Sequence, residues 1–163
     1  MPPLKAAYTR LRRGARYSRT LLRAWRVPEQ RALAQEMFAF ERGLPPRFSH
    51  PLPEMMAGVT PNPAPPTGDL SETTIRALAD AVAAWRFRSP LGICLRRSLL
   101  RYHFLRRTGL PVVIIFGARF KTDSEGGGLG GHAWLTLHNQ PYYERPQDVH
   151  GFVEMYRYPE EGE

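Results

Sequence analysis

The chain is 163 residues long, carries a formal charge of +8, is 42% hydrophobic and contains one cysteine. That length supports one compact domain with a real core plus an appendage, and no apolar run reaches the ~20 residues that a membrane-spanning helix requires. A single cysteine excludes an internal disulfide framework and points to a reducing, cytoplasmic setting. The charge comes largely from arginine and attracts anionic partners. Zinc-finger spacing, an aromatic RNA-binding signature and a helix-turn-helix pattern are all missing, so nucleic acid is not the expected partner; an acidic peptide or protein explains the charge as well.

The first 28 residues hold no acid, and Leu4, Leu11, Leu21, Leu22 and Trp25 are scattered among arginines from Arg10 to Arg26. The composition imitates a transit peptide or a membrane-surface helix. It lacks the apolar stretch of a secretory signal and a wide apolar stripe, and it reads as a solvated basic helix that contacts a partner. From Glu29 to Arg42, Leu33, Met37, Phe38 and Phe40 fall near helical spacing, with Pro28 suited to the first turn and Gly43 to the stop. Prolines then crowd Leu44-Pro45-Pro46, Pro51-Leu52-Pro53 and Thr60 to Gly68. Their fixed φ and missing donors predict an extended connector without regular structure.

Ser71 is an N-cap candidate, and Ile75, Leu78, Ala79, Val82 and Trp85 share a face, which predicts a helix over 72–86. A second helix is expected over 94–107, with Leu95, Leu99 and Tyr102 toward the core, Leu100 and Phe104 widening that face, and Arg96, Arg97, Arg101, Arg106 and Arg107 on a wet face. Val112 to Phe120 reads as a central strand buried on both sides. Lys121 to Gly131 is a glycine-rich loop, His132 to His138 a second strand, Asn139-Gln140 a tight turn and Pro141 to Glu144 a third strand. The result is an α+β fold, a helix packed on a small antiparallel sheet. Its organisation is a basic helical region over 1–57, a Pro-rich connector over 58–70 and a core over 71–158.

Two motifs carry less than their letters promise. Gly126, Gly128 and Gly131 spell G-x-G-x-x-G, but a dinucleotide site needs a helix N-terminus after the glycines, and here a strand follows. A hairpin connection beside a cleft fits better. Cys94, His132 and His138 resemble a zinc set, yet on an extended strand the two histidines would stand about 20 Å apart. No metal and no other cofactor is expected.

Cys94 is the informative residue, because a loop at Ser89-Pro90-Leu91-Gly92 gives way to helix there. A thiol in a first helical turn feels the positive end of the backbone dipole and its free N–H groups, which favour thiolate. Gly131-His132-Ala133-Trp134 opens the second strand with a base, and Glu144 ends the third strand beside the start of the second. A nucleophile, a base and an orienting acid are therefore available as Cys94, His132 and Glu144, with Asp148 and Asp123 as rivals for the acid.

The strings Cys94-Leu95-Arg96-Arg97-Ser98-Leu99-Leu100, Arg106-Arg107-Thr108-Gly109-Leu110-Pro111, Phe116-Gly117-Ala118 and Gly131-His132-Ala133-Trp134-Leu135 resemble the transglutaminase-like leader peptidases of lasso-peptide biosynthesis. The resemblance spans Leu70 to Tyr158 and implies a transglutaminase-like, papain-like core. It implies Cys94 as nucleophile, His132 as base and Glu144 as acid, at a position the family often fills with aspartate. The implied reaction is cysteine-protease removal of a leader from a ribosomally made precursor. Some members carry a fused leader-binding winged-helix domain, for which the first seventy residues give no sign. The implied partners are the precursor peptide, a separate leader-binding protein and an ATP-dependent cyclase. Acyl transfer or amidase chemistry on the same fold, and a non-catalytic basic adaptor for acidic peptide or nucleic acid, are the rival functions.

Overall fold

The computed structural model describes residues 4–62 and 70–160. Among these residues seven helices and four strands follow one another: α1 (Leu4–Ala24), α2 (Pro28–Arg42), α3 (Leu44–Arg47), α4 (Leu52–Val59), α5 (Glu72–Trp85), α6 (Ile93–Arg106), β1 (Val113–Phe120), β2 (Leu129–Leu137), β3 (Gln140–Pro141), α7 (Pro146–Val149) and β4 (Val153–Tyr158), with a short 3-10 turn at Asp123–Glu125. The strands form one antiparallel sheet in the order β3-β2-β1-β4. The α+β expectation holds, and β1 is central as its β-branched run predicts. No helix among the described residues is long and apolar enough to cross a membrane.

The prolines of 44–59 do not keep the chain extended. They sit in the first turns of α3 and α4, where a missing N–H costs no hydrogen bond and a fixed φ is already helical. Met55, Met56 and Val59 of α4 then enter the same buried cluster as Leu21 of α1, Met37 of α2, Leu99 of α6 and Ile114 of β1. The proline run over 63–69 lies outside the described residues.

α5 begins where the sequence predicts, with Ser71 accepting from the Thr74 amide. α6 differs in kind from its expected amphipathic form. It lies between α5 and β2, so it has no single wet face, and Arg96 and Arg101 are 3% and 5% exposed. Their charges are met internally, which is the condition for burying a guanidinium. Arg96 reaches Glu41 at 3.2 Å and the carbonyls of Ala83 at 2.7 Å and Leu91 at 2.9 Å. Arg101 forms a bidentate pair with Asp80, both bonds 2.8 Å. Glu41 is itself fully buried and also contacts Arg86 at 2.6 Å.

The sheet departs from expectation at three places. β2 starts at Leu129, within the predicted loop, because the turn closes on Gly126, Gly127 and Gly128, all with positive φ. β1 is not buried throughout, since Phe120 at its end is 85% exposed. β3 stops at Pro141, which has no N–H to extend the ladder, and Tyr143 with φ +55° turns the chain away before Glu144. β4, which the sequence reading did not contain, closes the other side of β1 with a register shift between Phe116 and Gly117. Its first three residues are exposed, which blurs the alternation that marks a half-buried strand.

Candidate active site

Gly92 leaves the loop with extended backbone and starts α6, so Cys94 falls in the helix's first turn. The half-buried thiol has His132, Ala133 and Leu95 as the neighbours that favour its ionised form. The His132 contact is the largest of the influences that hold the Cys94 pKa below the ordinary thiol value; burial opposes them and does not win.

His132 is fixed from three sides. In register it faces Gly117 of β1. Its ring stacks on Trp134 at 5.7 Å and 19° and lies against Phe152, 5.2 Å away. Trp134 takes that position because Gly117 has no side chain: a Cβ there would stand 2.6 Å from the indole and 3.0 Å from the Val153 carbonyl. The glycine and the local register shift are therefore what let the aromatic support cross β1. Ser98, one turn after Cys94 and 1% exposed, donates to the Ala133 carbonyl at 2.8 Å and ties the thiol's helix to the strand next to His132.

The third predicted group sits elsewhere in the same neighbourhood. Glu144 is turned onto α6, accepting from Arg97 at 3.0 and 3.2 Å and from Arg101 at 3.5 Å. Burial raises its pKa, and the two arginines counter part of that rise. His132 Nε2 is buried and has no hydrogen-bond partner among the described residues. Asp148, on α7, is bonded to Arg145 at two 2.8 Å contacts, which lower its pKa, and His132 acts on it electrostatically as well. Asp123 is exposed at the start of the 3-10 turn. The structure thus brings Cys94 and His132 together, keeps Glu144 on arginines and leaves one imidazole nitrogen unmet.

Three contributors escaped the sequence reading. Ser98 and Gly117 lie in strings that carry the family resemblance but have no role assigned to them there, and Phe152 falls outside every such string. Only the bulge-forming character of a strand glycine offered a signal. A groove of about 860 Å³ opens between the ends of β1, β2 and β4, lined by Phe120, Leu129, Phe152 and Met155 together with Arg119 and Asp148; neither Cys94 nor His132 lines it, and Phe152, which packs on His132, links it to the pair. Among the described residues, no group of three or more His, Cys, Asp or Glu side chains is placed to hold a metal ion.

The arrangement sets a thiol of lowered pKa beside an imidazole, the pairing that nucleophilic cysteine chemistry needs. A family model described as the transglutaminase-like superfamily matches residues 44–157. No curated protein and no solved structure matches the chain.

Proposed function

Because this chain belongs to the transglutaminase-like superfamily, we propose that it is a cysteine peptidase that removes the leader from a lasso-peptide precursor, together with a separate leader-binding protein and an ATP-dependent cyclase. The superfamily comprises cysteine proteases and transglutaminases, so cysteine-dependent acyl chemistry is the common ground. The observation that carries the reading is the Cys94–His132 contact, with the thiol pKa lowered chiefly by that histidine. The groove that begins at Phe152, the ring packed on His132, is of a size that suits a peptide segment as substrate. In this reading residues 71–158 carry the reacting groups, and the basic helices α1 and α2, packed on α5, present their arginines to a partner.

The Cys94 thiolate attacks the carbonyl that joins leader to core, and the C–N bond breaks as His132 gives its proton to the leaving amine of the core. Water, deprotonated by His132, then hydrolyses the thioester and releases the leader as a carboxylate. Backbone N–H groups at the start of α6 are the donors for the oxyanion. Glu144 is the proposed orienting acid for His132, with Asp148 the competitor.

The test is incubation of the protein with a leader–core precursor and its leader-binding protein, followed by mass spectrometry. Hydrolysis yields two fragments whose masses sum to the precursor plus one water. A crosslink formed with loss of ammonia would replace this reading by acyl transfer. Cys94→Ala should abolish product formation; cleavage at the unsubstituted rate by that variant would end the proposal.

A further inference from the structure

On the helical side of the molecule, α1, α2 and the end of α5 enclose an apolar depression of about 320 Å³. α1 supplies Ser18, Leu21 and Leu22, Trp25 follows in the turn at its end with its N–H still bonded to the Leu21 carbonyl, and Phe38 of α2 and Trp85 of α5 complete the lining. Leu22, Trp25 and Trp85 remain 65%, 47% and 58% exposed. Three large apolar side chains gathered around one depression are more than the scattered exposure of a solvated surface.

The rim of this depression has one sign. At 100° per residue, Arg19, Arg23 and Arg26 occupy the α1 face next to Leu22, and Arg31 and Arg42 share the α2 face of Phe38. All five are exposed, and none forms a salt bridge with a described carboxylate. The acids of α2 are used or turned elsewhere: Glu41 is buried against Arg86 and Arg96, Glu36 pairs with Arg107, and Glu29 lies half a turn away from Phe38. Free guanidinium groups therefore border an apolar floor on both sides.

We infer that this depression is a docking site for an acidic helix of another protein, one that presents apolar side chains to Trp25 and Trp85 and carboxylates to the arginine rim. Charge complementarity selects the occupant. A second copy of this chain would bring the same positive rim against itself. A nucleic-acid backbone would match the arginines but would leave the Leu21–Leu22 floor unused. An amphipathic acidic helix satisfies floor and rim together, as in helix-in-groove recognition. The inference stands whether or not Cys94 turns over a peptide, because binding is read without turnover.

The experiment is fluorescence anisotropy with the full chain and a labelled helical peptide bearing leucines at i, i+3, i+4 and i+7 and glutamates elsewhere. Saturable binding is expected, weakened at least ~tenfold by the double variant L22S/W85S and by R19E/R26E, and by exchanging the peptide's leucines for serine. Each protein variant is checked for unchanged circular dichroism and unchanged Cys94 alkylation, so that lost binding cannot be lost folding. Binding that survives L22S/W85S, or that is outcompeted at equal charge by oligouridine or by vesicles of anionic lipid, overturns the proposal. Failure of precursor cleavage with intact peptide binding would instead overturn only the peptidase reading.

Discussion

An imidazole lies against aromatic rings at each end of α6, and the two are treated differently by their surroundings. His103, near the C-terminal end, stands 4.4 Å from Phe40 and 4.8 Å from Phe104, and its Nδ1 donates to the Val59 carbonyl at 2.6 Å. Burial is the leading cause of its lowered pKa, so the neutral ring is favoured. His132, beside the N-terminal end, has Trp134 and Phe152 as its rings, a thiol as its neighbour and a buried Nε2 with no partner among the described residues. The first is a satisfied core histidine; the second keeps an unmet polar atom next to a nucleophile. Buried polar groups are so regularly paired that the exception is the more informative of the two.

Removing each ring is the strongest way to break this contrast. His132→Ala should lower the rate of precursor cleavage by about 10²–10⁴-fold, the scale of a lost acid–base group. It should also raise the inflection in the pH profile of Cys94 alkylation toward the ordinary thiol value near ~8.5, because the largest lowering influence is gone while burial, which raises the pKa, remains. Thiolate then persists over a narrower range on the acid side. His103→Ala should cost stability of ~1–3 kcal/mol through the orphaned Val59 carbonyl and leave the alkylation profile where it was. Equal shifts in both variants would erase the distinction between the two ends.

The ion cluster around the first half of α6 gives the next largest effect. Glu41→Ala leaves Arg96 buried without its carboxylate and should destabilise the fold by about 3–5 kcal/mol, measured by urea unfolding. Pairing it with Arg96→Met should recover part of that loss, since the buried guanidinium is gone while the Ala83 and Leu91 carbonyls lose their donor. The thiol profile of any folded variant should be unchanged.

This cluster also marks the limit of what the residues disclosed in advance. The Cys94 helix start, the His132 strand, the N-cap at Ser71 and the central β1 were legible because each rests on a local rule of capping, periodicity or β-branching. The arginines of α6 were read as solvent-facing because the usual fate of a guanidinium is exposure. Their partners, Glu41 and Asp80, are 55 and 21 residues away in sequence, and no local pattern announces such pairs. Glu144 was displaced for a related reason: its expected position assumed that β3 continued, whereas Pro141 and the positive φ of Tyr143 end it and two arginines capture the carboxylate.

Glu144 and Asp148 offer a finer test of what completes the N-terminal end. Glu144→Gln should lower kcat at least about tenfold, equivalent to ~1.4 kcal/mol, with little change in KM if Glu144 orients His132 during the reaction. Asp148→Asn should have the smaller effect. The reverse order would transfer the orienting role to Asp148.

The smallest expected effect compares two hydroxyl groups, one toward each end of α6. Ser98 Oγ donates to the Ala133 carbonyl at 2.8 Å, and Thr108 Oγ1 to the Leu105 carbonyl at 2.7 Å. Each bond should contribute about 1 kcal/mol to stability, so Ser98→Ala and Thr108→Ala should lower the urea midpoint to a similar extent. Only the first bond joins the nucleophile's helix to the strand that carries His132. Ser98→Ala should therefore also lower kcat a few-fold, since a small displacement of reacting groups is costly, and it should move the alkylation inflection slightly upward by loosening the contact that lowers the thiol pKa. Thr108→Ala should leave kcat and inflection alone. If the two substitutions match in kinetics as well as in stability, the helix-to-strand tie is structural only, and the geometry of the pair is held by Trp134 and Gly117.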